Sequence, residues 1–360
     1  MSLRDLRRQV GQLAVVGFPG HTVPEDLKKL VAAFDLGGVI YFARNVAEPA
    51  QLRELSREAA SLARDWPLWI SVDQEGGRVA RLRRPFTEWP PMMTLGRSGD
   101  PALAEAFASA LASELRAVGV NLDYTPVLDI HTNSQNPVIG DRAFGTTPDV
   151  VAAFGAALIR RLHESGIVAC GKHFPGHGDT ATDSHFELPL VEHPPDRLEA
   201  VEYVPFRAGI AAGLGAMMTG HVLVPALDPD RPATLSSAVI RDVLKGALGF
   251  DGMVFSDDMG MKALAATWPL PEAVVAAIQA GCDAVLLCNS TQEEQWAALE
   301  AIIHAMEAGT LPTARVEDAL ARQWRVKTRF AGALQAAPAP LSGVGLEAHQ
   351  RISDRMAAWL

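Results

Sequence analysis

Eight short apolar runs rich in β-branched residues recur along this chain, at 13–18, 37–42, 67–73, 119–126, 166–174, 215–222, 252–258 and 283–288. Each is followed by a stretch of helical spacing, at 25–34, 49–64, 101–118, 148–165, 196–212, 236–248, 271–280 and 291–307. Strands that alternate with helices in this way run parallel, because each helix must carry the chain back before the next strand begins. Eight such units close into a TIM-type (β/α)8 barrel, an α/β fold in which no strand edge is left unpaired. The competing arrangement is an open doubly wound sheet, but no GxGxxG follows the first strand. A step into glycine precedes four of the strands (Leu36-Gly37, Val118-Gly119, Ser165-Gly166, Leu248-Gly249), as expected of turns capped by glycine. The barrel is expected to occupy 1–335 as a single domain, with a further helix at 314–330. A short C-terminal helical tail, 336–360, is expected to pack on it.

The bulk properties narrow the function. A formal net charge of −10 argues against the basic footprint that nucleic acid requires. No apolar segment approaches the roughly 18 residues of a membrane span. The opening MSLRDLRRQVGQLAVV has charges where a signal peptide needs an apolar core, so a cytoplasmic location is expected. Cys170, Cys282 and Cys288 lie in apolar runs without metal-ligand spacing, as buried small hydrophobes do. The expectation is a monomer without cofactor, without a nucleic-acid partner and without a membrane partner.

The chemistry concentrates where strands end. GKHFPGHGDTATDSH, 171–185, begins as an apolar strand finishes and holds one lysine, three histidines and two aspartates. Two chemistries fit these residues. His173, His177 and His185 are enough ligands for zinc, although their spacing is not that of HExxH. Alternatively, Lys172 and His173 hold sugar hydroxyls, while Asp183 turns onto His185 and fixes its tautomer for proton transfer. Lys172 and His173 are adjacent, so a regular strand can aim only one of them inward. Asp73, His221 and Asp257 also fall at strand ends, on the rim where barrel enzymes keep their chemistry. After Asp73, QEGGRVARLR offers Arg78 or Arg81 as a residue that turns back toward the mouth. In HTNSQNPVIGDRAFG, Arg142 is expected to reach ligand with Asp141 orienting it, and Asp129 is either structural or mouth-lining. In VFSDDMGM at least one of Asp257 and Asp258 must face the mouth, where a carboxylate can attack an anomeric carbon, and Asp258 reads as a helix cap or a partner behind that carboxylate.

Together, DQEGGRV (73–79), NPVIGDRAFG (136–145), KHFPGHGDT with DSH (172–185) and FSDDMGM (255–261) resemble the β-N-acetylglucosaminidases of glycoside hydrolase family 3, of the bacterial single-domain type that acts in peptidoglycan recycling. The resemblance implies that Asp257 is the nucleophile and that His185, paired with Asp183, is the general acid/base. It implies that Asp73, Arg81, Arg142, Lys172 and His173 hold the N-acetylglucosamine unit. It further implies a retaining exo-β-N-acetylglucosaminidase with a muropeptide substrate, GlcNAc-1,6-anhydro-MurNAc with or without peptide, and no metal. A phosphorylase using the same glycosyl-enzyme and a metal-dependent amidohydrolase on the same fold are the alternatives. The loop over 176–185 is expected to be mobile enough to close over substrate.

Overall fold

The computed structural model describes residues 7–184 and 187–360. Eight parallel strands close into a barrel: β1 (Ala14–Val16), β2 (Gly38–Tyr41), β3 (Trp69–Val72), β4 (Leu122–Asp123), β5 (Val168–Phe174), β6 (Ala216–Thr219), β7 (Met253–Asp258) and β8 (Ala284–Leu287). Each strand pairs with its neighbours in chain order, and β8 returns to β1 with Ala14 opposite Val285. The strands alternate their side chains between two cores. Val15, Ile40, Leu122, Val168, Met253 and Ala284 fill the barrel interior, and their sequence neighbours pack outward under the helices.

The helices are α1 (Glu25–Phe34), α2 (Pro49–Ser61), α3 (Pro101–Ala117), α4 (Pro148–Glu164), α5 (Tyr203–Ala211), α6 (Ala238–Ala247, wound more widely as a π-helix), α7 (Leu270–Ala280), α8 (Gln292–Glu307), α9 (Thr313–Arg329) and α10 (Glu347–Ala357). In α1, Leu27, Leu30, Val31 and Phe34 recur on one face and are buried against the barrel. Their starts are written locally. Proline opens α2, α3 and α4, where its missing N–H is of no consequence. Thr291 and Glu294 form a reciprocal capping box at α8.

Three departures have physical causes. Gly119, Gly166 and Gly249 take φ of 81°, 84° and 69° in the expected turns, but at the first turn Asp35, at φ 54°, takes the left-handed position instead of Gly37. Gly37 is there for space, since a Cβ would lie 2.3 Å from the Gln12 carbonyl oxygen. The helix expected over 196–212 is wound more widely over Leu198–Glu202 before α5 begins. Pro205 has no N–H to offer the Val201 carbonyl, so regular pairing stops there. Two small hairpins, Gln74–Gly76 with Val79–Ala80 and Leu223–Val224 with Asp228–Pro232, lie outside the eight apolar runs because each has a strand of only two residues paired with a polar one.

The last helices cover the barrel. Gln323 of α9 donates from Nε2 to the carbonyls of Gln12 (2.6 Å) and Asp283 (2.9 Å), which ties α9 beneath the strands' N-terminal ends. Lys327, on the same helix, is buried with its Nζ 3.0 Å from Gln12 Oε1 and over the rings of Trp66 and Trp69. On the barrel's flank, Glu114 of α3 accepts from His349 Nδ1 (2.8 Å) and from the Gly345 amide (3.0 Å), which anchors α10. Among the described residues, no helix is long and apolar enough to cross a membrane.

Candidate active site

A cavity of about 480 Å³ opens at the C-terminal ends of the strands. Asp73, Arg81, Arg142, Lys172, His173 and Asp257 all line it. Its walls owe much to two irregular strand ends. On β5, Gly171 lies opposite Met217 and Phe174 opposite Thr219, so three steps on β5 match two on β6. On β7, Phe255 lies opposite Ala284 and Asp258 opposite Leu286, again three steps against two on β8. Each strand thus has one extra residue, a β-bulge, at its functional end. In the regular part of β7, Met253 and Phe255 face the interior, so Asp257 keeps the inward phase. The bulge returns Asp258 to the mouth beside it, and on β5 it does the same for His173 beside Lys172. All four residues line the cavity. The peptide between Lys172 and His173 is cis.

The charges on the cavity wall are shared. Lys172 Nζ lies 2.7 Å from Asp73 Oδ1 and 2.6 Å from Glu75 Oε1. Glu75 also takes Arg142 in a two-point pair, at 2.9 Å from Nε and 2.8 Å from Nη2. Burial alone would push the Glu75 carboxyl up, but the two cations hold it well below the ordinary carboxylate range. Burial likewise opposes the charges of Lys172 and Arg142, and their carboxylates outweigh it and hold both cationic. Glu75, not the expected Asp141, orients Arg142. Asp141 instead sits 3.8 Å from Arg78 at the surface, because Arg142 turns inward while its neighbour faces solvent. Of the arginines after Asp73, Arg81 is the one that lines the cavity, 3.5 Å from Asp73 Oδ2. The Gln74 side chain holds this hairpin by accepting from the amides of Arg81 (2.8 Å) and Leu82 (3.0 Å).

Asp129 is buried and serves two histidines. Its Oδ2 is 2.6 Å from His173 Nδ1, and its Oδ1 accepts from the His177 amide at 2.7 Å. His173 therefore presents its other nitrogen toward Arg142 Nη2, at 3.5 Å. Both nitrogens of His177 are engaged, Nδ1 with Thr180 Oγ1 (2.7 Å) and Nε2 with Ser184 Oγ (3.0 Å), and burial pushes its pKa down to about 4. These contacts account for His177 as a packing residue of the turn. Among the described residues no group of three or more histidine, cysteine or carboxylate side chains is arranged to hold a metal.

The turn itself is tightly bound. Asn136 donates to the carbonyls of His177 (2.8 Å) and Thr180 (3.0 Å), and a Cβ on Gly178 would lie 1.7 Å from the Ile130 carbonyl oxygen. These contacts make Gly176–Thr180 a compact, paired turn. Asp183 is half-buried, and its carbonyl accepts from the Glu187 amide at 3.1 Å. His185, the expected acid/base, lies outside the described residues.

Asp257 faces the cavity with Oδ1 accepting from the Asp258 amide at 2.8 Å. Burial works against its ionisation, but His221 and His173 hold the carboxyl below its ordinary value. Asp258 accepts from the Cys288 amide (3.0 Å), the Gly260 amide (3.2 Å) and Asn289 Nδ2 (3.1 Å). An ionised carboxylate beside a cluster of polar groups in an open cavity suits attack on a glycosidic carbon.

The sequence matches the glycosyl hydrolase family 3 N-terminal domain over residues 5–326. The chain belongs to glycosyl hydrolase family 3. A β-hexosaminidase of Alkalilimnicola ehrlichii is 44% identical over 281 residues, covering 76% of this chain and 80% of that protein. One from Nitrosomonas eutropha is 46% identical over 260 residues, covering 71% and 74%. Among solved structures, a family 3 β-N-acetylglucosaminidase from Paenibacillus sp. str. FPU-7 superposes with a TM-score of 0.93 at 43% identity, covering 98% of this chain and 68% of that one. NagZ from Neisseria gonorrhoeae, in complex with N-trifluoroacetyl-D-glucosamine, gives 0.77 at 31% identity, covering 96% and 97%. This family 3 chain is a glycoside hydrolase of the β-N-acetylhexosaminidase type. Two residues that hold its polar wall in place were not assigned from sequence. Glu75 stood in the quoted DQEGGRV without a role, and Asp129 was left undecided. Only the partners that folding gives them reveal what they do.

Proposed function

We propose that the protein is a retaining exo-β-N-acetylglucosaminidase that removes terminal GlcNAc from GlcNAc-1,6-anhydro-MurNAc and its peptides. The observation that carries this is Asp257, a carboxylate held ionised in the cavity, facing the wall built from Asp73, Lys172, Glu75, Arg142 and His173. In this mechanism Asp257 attacks C1 and forms a glycosyl ester while His185 protonates the leaving oxygen. Asp183 stabilises the imidazolium. Neutral His185 then activates water, which releases β-N-acetylglucosamine with net retention. Asp73, Arg81, Arg142, Lys172 and His173 hold the sugar, the first four through charge-assisted hydrogen bonds to its hydroxyl and acetamido groups. The choice of a muropeptide rests on the motifs at 73–79, 136–145, 172–185 and 255–261.

The test is turnover of 4-nitrophenyl β-N-acetylglucosaminide by the wild type, Asp257→Ala and His185→Ala. Both variants are expected to lose most turnover. Azide is expected to restore product with Asp257→Ala as the α-glycosyl azide, and a β product would remove Asp257 from the nucleophile's role. Turnover that requires phosphate would assign phosphorolysis instead, and loss of turnover in EDTA would assign metal-dependent hydrolysis.

A further inference from the structure

His221 follows β6, is fully buried and does not line the cavity, so it cannot touch a bound sugar. It nevertheless stands between the two bulges. Gly220, its neighbour, packs against His173, where a Cβ would lie 3.2 Å from the His173 Cβ. On its other side, His221 Nε2 is 2.9 Å from the Asp258 carbonyl oxygen. A carbonyl can only accept, so Nε2 carries a proton, while Nδ1 pairs with Thr234 Oγ1 at 2.8 Å. Thr234 Oγ1 in turn lies 2.9 Å from Thr219 Oγ1. The imidazole is thus paired at both nitrogens and aimed at the residue after Asp257.

The bulge on β7 interrupts its ladder with β8, and side chains replace the lost pairing. Ser256 Oγ accepts from the Leu286 amide at 3.1 Å, and the Asp258 carboxylate accepts from Cys288 and Asn289. These contacts secure the side of the bulge that faces β8. The side that faces β6 is met by His221. Holding the Asp258 carbonyl matters because the amide of the same residue, on the preceding peptide, binds Asp257 Oδ1.

We propose that His221 is a positioning residue for the nucleophile: by donating to the Asp258 carbonyl it fixes the bulged turn whose amide holds one oxygen of Asp257, leaving the other aimed at the anomeric carbon. The proposal rests on Asp257 being the nucleophile. Without His221 the carboxylate remains in the cavity but is no longer held in line with C1. Sugar binding, carried by the opposite wall, is left intact.

The test compares His221→Leu, His221→Gln and Thr234→Val in the full chain, reading kcat on 4-nitrophenyl β-N-acetylglucosaminide and the inhibition constant of free N-acetylglucosamine. His221→Leu is expected to lower kcat by about 100-fold, the scale of an ångström of misplacement, with the inhibition constant within about threefold. His221→Gln, whose amide can donate to the same carbonyl, is expected to recover about tenfold of that loss. The proposal is overturned if His221→Leu keeps kcat within threefold, if kcat and inhibitor affinity fall together, or if His221→Gln is no better than His221→Leu. Should His221→Leu fail to fold, Thr234→Val carries the test, with the same split between kcat and inhibitor affinity expected at smaller size. Retention of turnover by Asp257→Ala would bring down the nucleophile assignment itself, a result separable from any of these.

Discussion

Glu75 is the charge on which two cations depend. Lys172 and Arg142 both point into one buried space, and without Glu75 they would repel each other there. Glu75→Gln is expected to destabilise the protein by about 3–5 kcal/mol, the cost of breaking a buried pair by removing one partner, as read by urea unfolding. It is also expected to raise KM more than it lowers kcat. The pH dependence follows from the same contacts. The Glu75 and Asp129 carboxyls are both held below their unfolded values, so the unfolded chain takes up protons first as pH falls. Their contribution is whole above about pH 5 and is lost progressively as pH drops through the folded values. An unfolding midpoint that stays flat from pH 5 to pH 3 would contradict this.

At the scale of the element, the bulges explain how adjacent residues share one site. A period of two sends Lys172 and His173, or Asp257 and Asp258, to opposite faces, and nothing in VACGKHF or VFSDD announces an extra residue. The Gly-rich turn after β5 is the reverse case, because its composition states its need for space. Gly178→Ala places a methyl against the Ile130 carbonyl. It is expected to cost about 1–3 kcal/mol and to displace His177 and Ser184 along with activity. Thermal unfolding together with turnover checks this, and a variant with wild-type values of both would mean that the turn has slack.

For the molecule as a whole, α9 closes the barrel's N-terminal end with a lysine, Lys327, that donates to Gln12 Oε1 and the Gly37 carbonyl. Burial pushes Lys327 down to about 7, with Asp35 opposing only in part. Between that value and the unfolded value near 10.5 the unfolded chain binds the extra proton, so stability rises with pH across this window. The slope is at most about 1.4 kcal/mol per pH unit. Below pH 7 the folded protein carries the buried charge and the full penalty. Lys327→Met is expected to be more stable than wild type at pH 7 and to lose the rise at alkaline pH, which denaturant unfolding at several pH values will show. Equal slopes for the two proteins would remove Lys327 as the cause.

The sequence determined the eight strand–helix units, most helix starts and the polar residues at strand ends, because these depend on periodicity, capping and residue type within a few positions. It also carried the family motifs, so Asp73, Arg142, Lys172, His173 and Asp257 were legible as one constellation before any contact was known. Tertiary structure decided the rest. Asp141 and Glu75 were equally available to orient Arg142, and the choice fell to Glu75 because the hairpin after β3 brings it to the cavity wall. Asp129, His221 and Asp258 act through residues on other strands, so their roles exist only once the barrel has closed. The two bulges are set by pairing between strands, a property that no single strand's sequence holds.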